Sequence, residues 1–316
     1  MIVTVTLNAA LDRTLRVPNL QVGVRHRAEW SMSLPGGKGV NVARALKRLG
    51  QPVIAAGLAG GRVGTQIIEE LTAEGILNDF VRIGEESRTS TAVIDPMNNL
   101  QTEINEAGPA VTEAELSLFL DKLRYLGRGA DMFVLAGSLP PSTPQDFYAA
   151  LVAELSGYDA VTAMDASGPP LRAALSARPG VVSPNVREAE EIVGHEFSDI
   201  EDRSAGAVAM CEMGAETALI HGDDGCVAHV RHRGERRGRT YAATLEPVGD
   251  PISTVGSGDS FLAGYVAARY ERASHEAALA LAVACGAAST REYGAGVFDP
   301  DDVSALRRQV EVREIG

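Results

Sequence analysis

The segment at residues 254–260, with the sequence TVGSGDS, stands directly before an apolar pattern of helical spacing. A glycine-rich turn at the start of a helix presents backbone N–H groups at the positive end of the helix dipole, which favours anion binding. Asp259 falls in the first turn of that predicted helix, where its carboxylate can accept a proton from a hydroxyl group. A base beside an anion site indicates phosphoryl transfer. An N-capping aspartate after an ordinary turn is the alternative for the same residues.

A second glycine-rich turn lies at residues 35–41, with the sequence PGGKGVN, and it also precedes a helical pattern. It is not a Walker A loop, because Gly39 follows Lys38 where that motif requires Ser or Thr. Met32 also stands where the first Gly of that motif belongs. Backbone N–H groups, Lys38 and Asn41 could hold a polar ligand here. A tight turn that only leads into a helix is equally compatible with these residues.

Two further segments have both a structural and a functional interpretation. In residues 183–188 (SPNVRE), Asn185 is typical of a helix N-cap and Glu188 of its capping-box partner three residues later. Capping alone explains that pair. In residues 221–225 (HGDDG), the two glycines either make a tight turn between strand-like runs or pass close to a nucleotide.

These segments require a fold that brings distant turns together. Short apolar runs alternate with segments of helical period, which is typical of βαβ units and of a parallel sheet covered by helices on both faces. The chain after residue 241 is predicted to be helical. The predicted strands are 2–7, 53–56, 132–136, 160–164 and 218–220, and the predicted helices are 40–49, 66–73, 144–155, 170–175, 205–213 and 277–288.

Two stretches interrupt this alternation, residues 12–34 and residues 90–105. The second alternates between apolar and polar residues on both sides of a turn at residues 95–99. This pattern predicts strands of a small separate sheet that projects from the main domain as a lid. Plain surface hairpins are the alternative. A basic stretch at residues 231–239 is predicted to be the solvated end of a hairpin.

Composition limits the possible functions. The chain has 316 residues and a formal net charge of −13. This charge argues against nucleic acid as a partner, because phosphate backbones are bound by Lys and Arg. In a chain of this net charge, an anionic substrate needs a local basic pocket. Three scattered cysteines without CxxC spacing fit a reducing compartment. Apolar runs fall short of the ~20 residues that span a bilayer, so the chain is predicted to be cytoplasmic and not to bind membranes.

The order and spacing of these motifs resemble the PfkB branch of the ribokinase-type carbohydrate kinases across nearly the whole chain, and in particular its hexose-phosphate kinases. The resemblance implies one domain over residues 1–316, with a ribokinase-like α/β/α sandwich, a mostly parallel central sheet and a small projecting β-sheet lid. The lid segments would be about 12–34 and 87–107. The matching segments are 8–12 (NAALD, similar to the family's NPxxD), 35–41, 87–89, 101–109 (QTEINEAGP), 136–141 (AGSLPP), 185–188 (NxxE) and 254–259 (similar to TVGAGD).

The resemblance also implies that the protein binds ATP, Mg²⁺ and a sugar phosphate, and that it forms a homodimer through the lid. The residues implied for catalysis are Asp259 as the base and, as the anion hole, Gly256, Ser257 and Gly258. The residues implied for sugar binding are Asp12, Gly36, Gly37, Lys38, Asn41 and Ser138, with Arg88 on the existing phosphate. The residues implied for ATP are Gly222, Gly225, Gly256, Gly258, Asn185 and Glu188, of which the last two would hold Mg²⁺ through water.

The substrate within this branch stays open between fructose 1-phosphate, tagatose 6-phosphate and fructose 6-phosphate. Residues 89–91 (TST), which follow Arg88, resemble the tagatose-6-phosphate kinases at this position. The TEINE sequence at residues 102–106 instead resembles the fructose enzymes.

Two alternatives to a hexose-phosphate kinase are a kinase for an unphosphorylated sugar or nucleoside, and a non-catalytic sugar-binding regulator on the same fold. We hypothesise that Lys38 and Arg88 converge on the existing phosphate of the substrate. Arg25 or Arg27 of a partner lid would join them. Such a cationic cluster disfavours the first alternative, because a neutral ligand does not need it. A base at Asp259 disfavours the second, because binding alone does not use it.

Overall fold

The computed structural model describes residues 1–231, 238–246, 249 and 251–315, and its strands form two sheets. The strands of the larger sheet are β1 (Ile2–Thr6), β4 (Val53–Gly60), β5 (Leu77–Ile83), β8 (Met132–Ala136), β9 (Val161–Asp165), β10 (Val181–Val182), β11 (Thr217–Gly222), β12 (Gly225–Val230), β13 (Arg239–Thr244) and β14 (Glu311–Glu314). The strands of the smaller sheet are β2 (Ala10–Arg16), β3 (Trp30–Gly36), β6 (Arg88–Asp95) and β7 (Leu100–Asn105).

The larger sheet has the strand order β14-β13-β12-β11-β10-β9-β8-β1-β4-β5. Every pairing from β11 through to β5 is parallel, whereas β12, β13 and β14 pair antiparallel at the other side. Strand β1 is buried along its whole length, as expected for a parallel strand covered on both faces. The mostly parallel central sheet predicted from the alternation of strands and helices is confirmed.

Helices cover both faces of the larger sheet and enclose two hydrophobic cores. Helices α1, α2, α8, α9 and α10 pack on one face, and α3 to α7 pack on the other. The described helices are α1 (Lys38–Arg48), α2 (Gly61–Ala73), α3 (Glu113–Gly127), α4 (Phe147–Leu155), α5 (Gly168–Ser176), α6 (Val186–Val193), α7 (Ile200–Met213), α8 (Ser257–Tyr270), α9 (His275–Ser289) and α10 (Pro300–Arg307). In the part of the chain that the structure describes, we find no helix with the length and apolarity needed to cross a membrane.

The smaller sheet is made by the two stretches that interrupt the strand–helix alternation. Its strand order is β3-β2-β6-β7, and β2 pairs antiparallel with β3 but parallel with β6. In this register Asp12 lies opposite Leu34 on one side and Ser90 on the other. Side chains of paired residues share a face of a sheet, so these three residues point to the same side.

Several elements differ from their sequence prediction. The chain after residue 241 is not wholly helical, because β13 continues to Thr244 and β14 pairs with β13 as a short exposed edge strand. Helix α3 was not predicted, although residues 112–115 (TEAE) have the spacing of the capping box that Thr112 and Glu115 form. The predicted hairpin end at 231–239 joins β12 to β13, and residues 232–237 lie outside the described residues.

The carboxyl ends of the central parallel strands meet at one edge of the sheet. Asp165 is the last residue of β9, Ser138 follows β8, Asn185 follows β10 and His221 lies near the end of β11. Helices α1 and α8 begin beside these strand ends, with Lys38 at the first position of α1. Open α/β sheets bind ligands in the crevice outside the carboxyl ends of their strands. The fold therefore collects the predicted functional turns at the edge where a ligand is expected.

Candidate active site

Two cavities lie on opposite sides of the start of α8. The first cavity has a volume of about 310 Å³ and faces the smaller sheet, with Asp12, Asn41, Thr254, Gly256 and Asp259 in its wall. The second cavity has a volume of about 360 Å³ and faces the β11–β12 hairpin and α9, with His221, Gly222, Gly225, Thr254, Ser257, Gly258 and Val283 in its wall. Because Thr254 belongs to both walls, the glycine-rich turn separates two ligand-sized spaces by the thickness of one chain segment.

The backbone of this turn requires glycine at position 256. Gly256 has a φ of 77° and is the N-cap of α8. A Cβ there would lie 2.4 Å from the Cβ of Ala295, so a larger residue would both clash and strain the backbone. The N–H of Ser257 donates to the carbonyl of Thr254 at 3.3 Å and closes the turn. N–H groups of a first helical turn have no partner within their own helix, so Gly258 can direct its amide towards a ligand.

Asp259 lies in the first turn of α8 and is almost completely buried, with 6% of its surface exposed. The side-chain amide of Asn41, from α1, donates to Oδ2 of Asp259 at 2.8 Å. Burial, together with the negative charge of Asp165, raises the pKa of Asp259 to about 7. A carboxyl group with such a pKa can accept a proton near neutral pH, which an ordinary aspartate does poorly.

The ammonium group of Lys38 lies among carboxylates at the carboxyl edge of the sheet. Its Nζ donates to Oδ1 of Asp165 at 2.6 Å and lies 3.6 Å from Oε1 of Glu188. Burial opposes the charge of Lys38, yet the nearby carboxylates of Asp165 and Glu188 hold its pKa above the ordinary value. Burial also raises the pKa of Glu188, and Lys38 counteracts this effect. Sequence reasoning missed Asp165, whose only signal was its position directly after an apolar strand.

Arg44 is a second residue that sequence reasoning missed, and it anchors the wall of the first cavity. It is 3% exposed, and its guanidinium binds both carboxylate oxygens of Glu74 at 2.6 and 2.9 Å. It also donates to the carbonyls of Pro35 at 2.7 Å and Ala295 at 3.0 Å. Arg44 follows Asn41 by three residues on α1 and lies 3.4 Å from its Oδ1. It therefore fixes the amide that binds Asp259.

Asp12 faces the first cavity from the smaller sheet. Burial raises its pKa to about 6, against the lowering effect of Arg88 and Arg44. A Cβ on Gly36 would lie 2.0 Å from a carboxylate oxygen of Asp12, so a larger residue here would displace this carboxylate. Glycine at this position therefore lets the carboxylate of Asp12 lie directly against the turn before α1.

Arg88 and Ser138 are not among the described residues that line the first cavity. Arg88 donates from Nε to the carbonyl of Asn8 and from Nη1 to the carbonyl of Glu106, each at 3.2 Å. The Ser138 hydroxyl accepts from the side chain of Asn8 at 3.1 Å. Lys38 and Arg88 therefore bind different partners here, since Lys38 is held by Asp165. Arg25 and Arg27 are exposed in the segment between β2 and β3.

Asn185 and Glu188 form the predicted capping box at the start of α6, which is confirmed. Asn185 Oδ1 accepts from the N–H of Glu188 at 2.9 Å, and Glu188 Oε2 accepts from the N–H of Asn185 at 3.0 Å. Each cap uses one oxygen, so Glu188 keeps Oε1 beside Lys38 for another partner. The His221 ring packs on Phe261 with a centroid distance of 4.9 Å, and burial lowers the pKa of this imidazole.

Two cavities that meet at one glycine-rich helix start, with a buried carboxylate in the wall of the first, are an arrangement in which a group can pass between two small molecules. The sequence pattern of the pfkB family carbohydrate kinases matches residues 6–302. The chain belongs to this family, and it is an ATP-dependent phosphotransferase. Asp259 and the two glycine-rich turns all fall within the matched residues.

Individual relatives agree with this membership. The chain is 31% identical to a 1-phosphofructokinase of Bacillus subtilis over 318 residues, covering 100% of both chains. It is similar to the crystal structure of phosphofructokinase-2 from Escherichia coli in complex with substrates and products, with a TM-score of 0.89, 27% identity and coverage of 97% and 98% of the two chains. A ribokinase from Arabidopsis thaliana complexed with ribose and ATP has a TM-score of 0.74 at 21% identity, over 97% and 98% of the chains, which supports the ribokinase-like fold alone.

The raised pKa of Asp259 predicts a pH-dependent stability difference between the wild type and Asp259→Asn. The folded state raises this pKa from 3.8 to about 7. The folded state therefore disfavours the ionised form of Asp259. As pH rises from about 4 to about 7 and this group ionises, the free energy of unfolding of the wild type falls. Urea unfolding at pH 5 and pH 8 should show Asp259→Asn gaining stability relative to the wild type at the higher pH. Asp301→Asn, at an exposed residue in the first turn of α10, serves as the control. An unchanged difference for Asp259→Asn at the two pH values would contradict the burial argument.

Proposed function

We propose that this kinase transfers the γ-phosphoryl group of ATP to a hexose phosphate and forms a hexose bisphosphate. The sugar phosphate would occupy the first cavity and the nucleotide the second. The observation that carries this proposal is the glycine-rich start of α8, which belongs to both walls and places a buried carboxylate beside an anion site. The relatives named 1-phosphofructokinase and phosphofructokinase-2 support a phosphorylated hexose as acceptor. Fructose 1-phosphate, fructose 6-phosphate and tagatose 6-phosphate are the candidates.

Asp259 is the general base in this proposal. Its Oδ2 is held by Asn41 at 2.8 Å, which leaves Oδ1 to accept the proton of the sugar hydroxyl. The hydroxyl oxygen then attacks the γ-phosphorus while the bond to the leaving ADP breaks. Negative charge on the transferring group is stabilised by the backbone at Gly256, Ser257 and Gly258. Positioning of the two substrates across this turn supplies much of the rate enhancement, as in other phosphoryl transfers.

The nucleotide would lie along the β11–β12 hairpin, with Gly222 and Gly225 in the wall of its cavity. Mg²⁺ prefers oxygen ligands and keeps several of its waters. Glu188 fits this requirement because its Oε1 is not used by the capping box, and Asn185 lies beside it. These two residues would hold the ion through its water shell, and the bound ion would neutralise charge on the phosphates of ATP.

The sugar would be held mainly by Asp12 and Asn41, which lie in the wall of the first cavity. The other residues proposed to contact the sugar are Gly36, Gly37, Lys38 and Ser138. Because Asp165 and Glu188 bind Lys38, we place its ammonium on the side of the reacting groups. We assign the existing phosphate of the sugar to Arg88, whose guanidinium can donate in the forked geometry that phosphate accepts.

We also propose that the protein is a homodimer formed through the smaller sheet. Leu100 and Ile104 lie on the same face of β7 and are 63% and 62% exposed. Large exposed apolar side chains grouped on one sheet are typical of an interaction surface.

Light scattering should give a dimer mass for the wild type and a lower mass for the double variant Leu100→Asp with Ile104→Asp. Leu118→Asp, on α3 and 55% exposed, should leave the mass unchanged, and equal masses for all three proteins would contradict this interface.

Replacing the proposed base should abolish most of the turnover. Asp259→Asn keeps the shape and the hydrogen bond from Asn41 but cannot accept the proton, and general-base catalysis typically contributes ~10²–10⁴-fold. We expect kcat to fall by about that factor, with the KM for the sugar phosphate little changed, in an assay that follows ADP release. Asp301→Asn, the same substitution in the first turn of α10, should have near-normal kcat. A near-normal kcat for Asp259→Asn would show that another group accepts the proton.

The assignment of Arg88 to the existing phosphate is tested by comparing phosphorylated and free sugars. A hydrogen bond to a charged group contributes about 1.5–3 kcal/mol, so Arg88→Ala should raise the KM for hexose phosphates about ten- to a hundredfold. Any weak activity on free sugars should stay unchanged. Arg88→Lys, which keeps the charge but loses the fork, should give an intermediate KM.

Two outcomes of this comparison would contradict the proposal. Equal losses on both classes of sugar would show that Arg88 acts through its bonds to Asn8 and Glu106 in positioning the smaller sheet. A preference of the wild-type enzyme for free sugars would overturn the hexose-phosphate assignment itself.

A further inference from the structure

A third cavity, of about 570 Å³, lies at the amino-terminal edge of the larger sheet, opposite the candidate active site. Its floor is made by the first residues of the neighbouring strands β8, β9, β10 and β11. One side is formed by the end of β12 and another by the last turns of α8. The same helix therefore has its first turn in the active site and its last turn in this cavity, about 20 Å away at 1.5 Å per residue.

Three arginines contribute to the wall of this cavity, although the chain as a whole has a net charge of −13. Arg231 follows β12, Arg269 lies in the last turn of α8, and Arg272 lies in the turn after it. Arg231 donates from Nη2 to the carbonyl of Cys211 at 2.6 Å, and Arg269 donates from Nη1 to the carbonyl of Ala273. A guanidinium carries five N–H donors, so each of these two keeps donors for a ligand.

Arg272 occupies a backbone position that favours glycine. Its φ is 62°, and the turn is closed by the N–H of Ala273 on the carbonyl of Ala268 at 2.9 Å and by the N–H of Arg272 on the carbonyl of Arg269 at 3.0 Å. Helices commonly end in this way with glycine, and a side chain there costs roughly 1–2 kcal/mol. Within the described residues, the Arg272 side chain is exposed and makes no hydrogen bond or ion pair. An unpaired guanidinium is thus held at the cavity despite backbone strain.

The remaining charges of the cavity do not cancel these arginines. Asp131 binds the amino-terminal ammonium group of Met1, so this pair is neutral. Among the described residues that line the cavity, Asp159 and Glu216 add two negative charges against three guanidinium groups. The hydroxyl of Tyr265 pairs with Nδ1 of His275 at 2.8 Å and adds polar atoms to the wall. The cavity therefore has a local excess of positive charge and many N–H donors.

We propose that this cavity binds a phosphorylated small molecule, whose phosphate contacts Arg231, Arg269 and Arg272. Arginine donates to two phosphate oxygens at once, and such charge-assisted bonds are among the stronger ones in proteins. The cavity is large enough for a sugar phosphate beyond the phosphate itself. This site lies at the opposite edge of the sheet from the proposed substrate and nucleotide cavities, so it does not depend on the proposed function.

The strained backbone at Arg272 allows a test that separates binding from folding. Arg272→Gly removes the guanidinium and relieves the positive φ, so the variant should melt at the same temperature as the wild type or higher when phosphate is absent. The concentration of inorganic phosphate that gives the half-maximal rise in Tm should increase about tenfold or more. Adding Arg231→Gln should weaken this response further.

The matched control is Arg178→Gly, at an exposed arginine with a φ of 63° after α5. It offers the same relief of backbone strain, and its side chain is not part of the cavity wall. Its phosphate response should equal that of the wild type, and any phosphate bound in the active site contributes equally to all these proteins. Equal phosphate responses of Arg272→Gly and Arg178→Gly would overturn the proposal.

Discussion

Three carboxylates surround one ammonium group at the carboxyl edge of the central sheet. Lys38 binds Asp165 directly, lies near Glu188 and interacts electrostatically with Asp259. Charges removed from water interact strongly because the local dielectric constant is low. A single cation does not balance three carboxylates, so the cluster keeps an excess of negative charge. Burial, together with this excess, raises the pKa of Asp259 and gives a carboxyl group the proton affinity of a base.

The cluster exists because the fold brings together residues that are far apart in sequence. Asp165 ends a parallel strand, Lys38 begins α1 and Asp259 lies in the first turn of α8. Parallel strands bring all their carboxyl ends to one edge, and the helices that follow start there. The positive ends of α1 and α8 therefore point into the same space as the carboxylates. The proposed ligands match this arrangement, since ATP supplies negative phosphates for the helix starts and Mg²⁺ supplies positive charge for the carboxylates.

The sugar-binding side of the site depends on Arg44, whose buried guanidinium is bound by other groups of the protein. Arg44 joins Glu74 with the carbonyls of Pro35 and Ala295, so it ties the smaller sheet and the segment after α9 to α1. Arg44 is buried whereas Glu74 is partly exposed, so removal of Glu74 would leave a buried charge without its ion-pair partner, which is strongly destabilising. Asn41 keeps its orientation because of Arg44, and Asp259 in turn keeps its orientation because of Asn41.

The fold class, the smaller sheet, the capping box at Asn185 and the kinase family could be predicted from the sequence, because each is encoded in local periodicity or in motifs of fixed spacing. Short or exposed elements such as β14 were not predicted, because a few residues carry little periodicity and their conformation depends on a neighbouring strand. The partners of Lys38 and the roles of Asp165 and Arg44 could not be predicted, because they are set by how the chain folds. Neither residue belongs to a recognisable motif, and their importance arises from burial and from neighbours 30 to 251 residues away. Electrostatic effects of this kind depend on distance and desolvation, which a sequence does not contain until the chain is folded.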